Sequence, residues 1–195
     1  MTKASSSRFG RLIVVLAASA ASLAFVAPAG AERTLFFEET AEAFWAVPHE
    51  CADGSVVQGT LLVRSTRDFN APDTEDPDPT ARVQFLAVCP DGTSFSWAAP
   101  TAPATITSTE NLKSVHAVGS GTARDNLGGT HLVTFDVTWT GVGPVETTVN
   151  GPGSKRQQRE ATATGTVTFD GVVLVDGPNN HPTRPAPFIR VDTEK

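Results

Sequence analysis

Cysteine is nearly absent from this chain of 195 residues, which contains only Cys51 and Cys89. The two residues are too far apart for the Cys-x-x-Cys spacing of redox-active pairs. A structural zinc ion needs four nitrogen or sulfur ligands, and His49 is the only third ligand that the spacing supplies. The sequence therefore predicts neither a thiol redox centre nor a zinc site here.

Long apolar runs are also scarce, and the single one lies at the N-terminus. "LIVVLAASAASLAFV" (12–26) follows a basic start and precedes the small-residue pattern "AGA" (29–31). This arrangement is typical of a secretory signal peptide, and the run is shorter than the roughly 20 residues that span a bilayer. We expect cleavage after Ala31 and secretion of residues 32–195 as one extracellular β domain, without stable membrane insertion. A retained N-terminal anchor is the alternative.

Positive charge is in short supply. The chain has 15 Lys and Arg against 21 Asp and Glu, a net charge of −6. Residues 1–31 hold three of the cations and no acid, so their removal takes the net charge to −9. Nucleic acids and anionic lipids bind basic surfaces. The composition therefore argues against nucleic acid and leaves an extracellular protein, a glycan or a small apolar ligand as candidate partners.

The two cysteines occur in similar surroundings, "CADGS" (51–55) and "CPDGT" (89–93). Asp-Gly pairs favour tight turns, so each cysteine ends a strand just before a hairpin turn. Cysteines of an exported protein usually pair in an oxidising compartment. We predict a Cys51–Cys89 disulfide that ties the tips of two hairpins together.

Helical periodicity is missing, and alternation of apolar and polar residues replaces it. The clearest strands are "HLVTFDVTWTG" (131–141) and "EATATGTVTF" (160–169). The first places four large side chains on one face: Val133, Phe135, Val137 and Trp139. The second places small residues there, which indicates close packing against a bulky partner such as a tryptophan.

Turn signals at 53–54, 91–92, 125–129 and 170–171 separate further strands. The count of eight to ten strands with short connections predicts an all-β fold, either an antiparallel barrel or, as the alternative, a two-sheet sandwich. Three stretches read as loops: an acidic one at 66–81, a basic one at 150–159 and a proline-rich connection at 176–187.

The acidic loop raises the question of calcium, because it groups Asp73, Glu75, Asp76 and Asp78. The glycine and the later bidentate glutamate of an EF-hand do not follow, so a solvated loop is the preferred interpretation. Apart from the histidine pair considered next, the sequence indicates no other metal site and no cofactor.

Three residues remain as candidate ligand contacts. His116 and His131 lie on either side of one hairpin loop, where facing histidines would offer a zinc or copper site. Trp45 is the tryptophan most open to a sugar-stacking role, since Trp97 and Trp139 share faces with apolar neighbours. Burial in the core is the simpler interpretation of all three tryptophans.

Catalytic motifs are missing. Ser120 lies in "GSG" (119–121) without the Gly-x-Ser-x-Gly frame of a nucleophile elbow, and no phosphate-binding glycine loop is present. The sequence assigns no catalytic residue and favours a non-enzymatic role.

The segments "VTFDVTWTGVGPV" (133–145) and "REATATGTV" (159–167) resemble strands of small exported all-β proteins of high-GC Gram-positive bacteria. The likeness covers roughly residues 110–175 and includes Thr138, Trp139, Gly141, Gly143 and Pro144. It implies a signal peptide followed by one β domain, and it assigns no binding or catalytic residue.

These observations favour a secreted, non-catalytic β protein with a binding or envelope-associated role. Two alternatives are a barrel that holds a small apolar ligand, with or without enzymatic activity, and a carbohydrate-binding module. A lined internal cavity would favour the first alternative, an exposed aromatic strip the second, and a filled core neither.

Overall fold

The structure is a computed structural model that describes residues 36–70 and 78–194. The predicted signal peptide, its cleavage point after Ala31 and the candidate calcium ligands Asp73, Glu75 and Asp76 lie outside the described residues.

Ten β-strands account for most of the described residues, and a 3-10 segment at Glu110–Leu112 is the helical element among them. The strands are β1 Phe36–Glu50, β2 Val56–Asn70, β3 Thr80–Val88, β4 Ser94–Ser108, β5 Ser114–Asp125, β6 Thr130–Gly141, β7 Glu146–Gly151, β8 Ser154–Phe169, β9 Val172–Pro178 and β10 Phe188–Glu194. Within residues 36–70 and 78–194, no helix has the length and apolar character needed to cross a lipid bilayer.

The strands close into an antiparallel barrel. Strands β1 to β6 pair in chain order, β8 pairs with β6, and β10 pairs with both β8 and β1. Every one of these pairings is antiparallel. The prediction of an all-β antiparallel barrel with eight to ten strands is confirmed, and the sandwich alternative is wrong.

The two strands outside the eight-stranded wall extend it along β8. Val142 N donates to Glu160 O just after the last β6–β8 pair, so β7 continues the line of β6 on one edge of β8. On the other edge, β9 pairs with residues 164–169 and β10 with residues 154–160. The chain between them stays bonded to β8 at its two ends, where Asn179 N donates to Ala163 O and Ala161 N donates to Pro187 O. Next to the first of these, Asn180 Oδ1 accepts from Ala46 N of β1.

The barrel interior is filled by the inward-facing residues of the alternating strands. The largest side chains with less than 2% exposure include Trp45, Trp139, Leu61 and Ile189. Trp139 lies opposite Ala163 in the β6–β8 register, which is the small-against-bulky packing that the sequence indicates. Gly59 serves the same purpose, because a Cβ there would overlap the ring of Phe85. The core therefore depends on small residues opposite large ones.

Four turns gather at one end of the barrel, which we call the upper end: 51–55, 89–93, 126–129 and 170–171. The opposite end, where β1 begins and β4 ends, is the lower end. Asp170 and Gly171 have φ of 49° and 80°, as a two-residue hairpin turn requires. The predicted Cys51–Cys89 disulfide joins two of these turns, so that prediction is confirmed.

The three predicted loops are shorter than expected. Strand β2 continues to Asn70 beside β1, and β3 already includes Thr80 and Ala81, so 66–81 is not a loop throughout. The basic stretch 150–159 consists of the last two residues of β7, a turn at 152–153 and the first part of β8. Strand β9 likewise extends to Pro178, within the predicted connection 176–187. The sequence predicts loops in these stretches because their residues are mostly polar. Near the ends of the barrel a strand can carry polar residues while its backbone still pairs with its neighbours.

Candidate functional site

Trp45 does not offer a sugar platform. It is 1% exposed, and its indole Nε1 donates to Gly177 O at 3.4 Å. Trp97 and Trp139 are 3% and 0% exposed. The assignment of Trp45 as a ligand contact is therefore wrong, because the alternation that made it ambiguous directs its side chain into the barrel, and all three tryptophans are core residues.

His116 and His131 do not face each other. In the β5–β6 register His116 pairs with Thr138 and His131 with Ala123, seven positions along β5 from His116. That offset is about 23 Å at about 3.3 Å per residue. The zinc or copper site proposed for this pair is therefore wrong. No group of three His, Cys, Asp or Glu side chains suited to a metal occurs in the described ranges.

His131 instead links two turns at the upper end. Its Nδ1 lies 2.8 Å from Asp170 Oδ2 and its Nε2 lies 3.0 Å from Asp125 Oδ2. These hydrogen bonds to Asp170 and Asp125 raise the pKa of His131 and lower the pKa of each aspartate. Both ring nitrogens then donate, as in an imidazolium. The charges of His131, Asp125 and Asp170 are thus paired with one another.

Aromatic rings close the interior beneath these turns. His131 stacks on Phe169 at 4.4 Å between ring centroids, and Phe169 stacks on Trp97 at 4.8 Å. The series continues through Phe85 and Phe95 to His49. These rings occupy the upper mouth, so the upper end is a packed cap.

The lower end contains a different kind of opening. A pocket of about 410 Å³ lies where β1, β4, β8 and β10 meet the 3-10 segment. We call it the lower-mouth pocket, and its lining includes Glu39, Ser108, Asn111, Leu112, Gln157 and Val191. Its volume is within the range of small-ligand sites. Glu39, Gln157 and Val191 reach it because their positions continue the inward-facing series of β1, β8 and β10.

Glu39 is the unusual residue of this pocket. Only 8% of Glu39 is exposed, yet its Oε1 has no hydrogen-bond partner among residues 36–70 and 78–194. Burial raises the pKa of Glu39, and a hydrogen bond from Ser108 and the charge of Arg67 partly offset that rise. A buried carboxylate oxygen without a donor costs about 1–3 kcal/mol or more. The wall of the pocket therefore contains a buried acceptor without a donor from the described part of the chain.

The rim of the pocket is held in a rarely adopted backbone conformation. Asn111 and Leu112 have φ of 61° and 53° in succession, and the Leu112 side chain is buried. Arg159 Nη1 donates to Asn111 O at 3.3 Å and holds this segment against β8. Left-handed non-glycine residues are uncommon outside turns and sites where function requires them. The strained rim and the unfilled acceptor therefore occur at the same place.

Sequence reasoning did not identify Glu39, although a signal for it exists. The alternation that buries Ala41, Ala43 and Trp45 continues back to Glu39, which places a carboxylate at an inward position. A charged residue in an inward series is a site candidate, because buried carboxylates are rare. Ser108 and Gln157 carry no such signal, since barrel closure alone brings them to Glu39.

Comparison of the chain with family models, curated proteins and solved structures gives no match. The proposal for its function therefore depends on the geometry of the lower-mouth pocket.

Proposed function

We propose that the protein is an exported, non-catalytic binding protein that takes a small ligand in the lower-mouth pocket. The observation that carries this proposal is the unpartnered Oε1 of Glu39, which is buried at the wall of a 410 Å³ pocket. A ligand that donates a hydrogen bond to this oxygen would remove the cost of its isolation. Export is supported by the signal-like residues 1–31 and is compatible with the disulfide.

The two alternative functions have less support. A deep apolar ligand would need room at the middle of the barrel, where Trp45, Leu61 and Trp139 are at most 1% exposed. A glycan site built on tryptophans would need an exposed ring face, and the three tryptophans are at most 3% exposed. A binding site in the lower-mouth pocket needs no such room or ring face, because the core side chains do not fill this pocket.

The test is to locate bound small molecules by NMR on the exported protein labelled with ¹⁵N. The probes are n-butylamine, butan-1-ol, butyramide and butyrate, each added separately. At least one probe is expected to shift the amide signals of residues 108–112 and of Gln157 and Val191. A mouth that holds only water, or shifts confined to the upper turns, would overturn the proposal. Recovery of every probe unchanged after long incubation is expected of a non-catalytic protein.

A matched pair of variants assigns the effect to the carboxylate. Glu39→Gln removes the charge from the pocket with almost no change in shape, whereas Glu160→Gln makes the same change on the exposed outer wall. The first variant is expected to abolish or reduce the shifts and the second to preserve them.

A further inference from the structure

We propose that the ligand of the lower-mouth pocket is a small organic ammonium ion, with its charged nitrogen against Glu39 and a short apolar stem against Leu112, Val145 and Val191. This inference rests on the proposed function and specifies its ligand class. It is drawn from the charge, the acceptors and the apolar wall of the pocket.

The charge of the lining has one sign. Glu39 and Glu110 contribute two carboxylates, and the described residues that line this pocket include no Lys, Arg or His. A carboxylate ligand would therefore meet two like charges in a partly desolvated space, whereas a cation would meet two opposite charges. The lining selects against anions and in favour of cations.

The polar groups of the pocket also fit an ammonium group. An alkylammonium carries three N–H donors and no acceptor. The pocket provides the unpartnered Oε1 of Glu39, and the side-chain oxygens of Ser108, Asn111 and Gln157 are further acceptors in the lining. A charge-assisted hydrogen bond to Glu39 is stronger than the bond a neutral alcohol would make.

Two arginines near the pocket do not replace the ligand. The positive charge of Arg67 acts on Glu39, but within the described ranges Oε1 still has no hydrogen-bond partner. Arg159 directs Nη1 to the backbone oxygen of Asn111 at the rim. Neither arginine therefore donates a hydrogen bond to Glu39 Oε1.

The apolar part of the ligand follows from the remaining wall. Leu112, Val145 and Val191 line the pocket beside Glu39, and the side chain of Leu112 is only 8% exposed. A stem of a few carbon atoms buries against these residues, at about 0.8 kcal/mol per methylene removed from water. Inorganic ammonium lacks that stem and is expected to bind more weakly than n-butylamine.

Isothermal titration calorimetry at neutral pH tests the charge requirement. n-Butylamine is protonated there, as a lysine side chain is, and butan-1-ol is its neutral counterpart of the same length. We expect the amine to bind at least about tenfold more tightly than the alcohol, because its bond to Glu39 is charge-assisted. Glu39→Gln is expected to remove that preference, and Glu160→Gln to leave it unchanged.

The outcomes separate this inference from the proposed function. If butan-1-ol or butyramide shifts the lower-mouth signals as strongly as n-butylamine, or Glu39→Gln binds the amine equally well, the ammonium assignment is wrong while the mouth remains a binding site. If no probe reaches the mouth, both proposals fail. Binding of Nα-acetyl-lysine amide in preference to n-butylamine would support ammonium recognition and identify a lysine side chain as its source.

Discussion

The two ends of the barrel differ in how their polar side chains are paired. At the upper end, a disulfide joins two turns, Asp53 and Asp91 each accept hydrogen bonds from the residue two positions later, and His131 lies between two aspartates. Among the described residues, no buried side-chain polar atom without a partner belongs to this end. At the lower end Glu39, Asp68 and Arg159 each retain such an atom.

This difference indicates that the two ends of the barrel have different roles. Turns that satisfy their own polar groups hold the chain in place and leave little for a partner to bind. Buried groups without partners lower stability, and proteins retain them where a ligand completes the bonding. The upper end therefore stabilises the fold, and the lower end supports the proposed binding function at some cost in stability.

Removal of the disulfide gives the largest expected effect and tests the stabilising role of the upper end. The Cys51→Ala/Cys89→Ala double variant should lose about 4 kcal/mol of unfolding free energy, because the 38-residue separation is no longer closed in the unfolded chain. Urea unfolding followed by tryptophan fluorescence measures the loss. n-Butylamine affinity at low urea should not change, and a double variant as stable as the wild type would contradict the assigned role.

The sequence predicted the upper end well because its signals are local. Asp-Gly pairs mark turns within a few residues, and the two cysteines stand beside two of them, so the turns and the disulfide follow without knowledge of the whole fold. Alternation likewise placed Val133, Phe135 and Trp139 in the core.

The lower end was not predictable in the same way. Its pocket combines residues from β1, β4, β8 and β10, and their distances depend on the closure and register of the barrel. The breaks between β6 and β7 and between β9 and β10 depend on the same register. The polar residues at 155–159 favour a loop in the sequence. Composition alone does not show that β7 and β10 both pair with this stretch.

Replacement of the buried carboxylate tests the cost assigned to the lower end. Glu39→Met should raise the unfolding free energy by about 1 kcal/mol in the absence of ligand, because an isolated buried acceptor becomes an apolar side chain of similar length. The same variant should lose n-butylamine binding. Urea unfolding and calorimetry of the variant measure both changes.

The control for this variant lies on the outer wall. Glu42→Met removes a carboxylate that contacts Arg64 Nε at 2.8 Å, so it should give no comparable gain and should retain amine binding. A loss of stability in Glu39→Met larger than in Glu42→Met would show that the Glu39 carboxylate stabilises the free protein, contrary to our interpretation of the lower end.

The smallest expected effect is the pH dependence that His131 gives to the upper end. Its pKa is raised above the ordinary 6.5, so its stabilising contribution is complete below pH 6.5 and is lost as pH rises through the folded-state value. The pKa values of Asp125 and Asp170 are lowered from 3.8, so their contribution is present above that pH and is lost as pH falls through their folded-state values.

Stability from this network should therefore be greatest between about pH 4 and 6.5. Melting temperatures measured from about pH 4 to well above pH 6.5 should show the alkaline decline in the wild type and in His116→Asn, whose histidine contacts the exposed Asp136, and should not show it in His131→Asn. If the melting temperature of His131→Asn declined at alkaline pH as it does in the wild type, the titrating group would be another residue. His131 would then not be one of the contacts that stabilise the upper end.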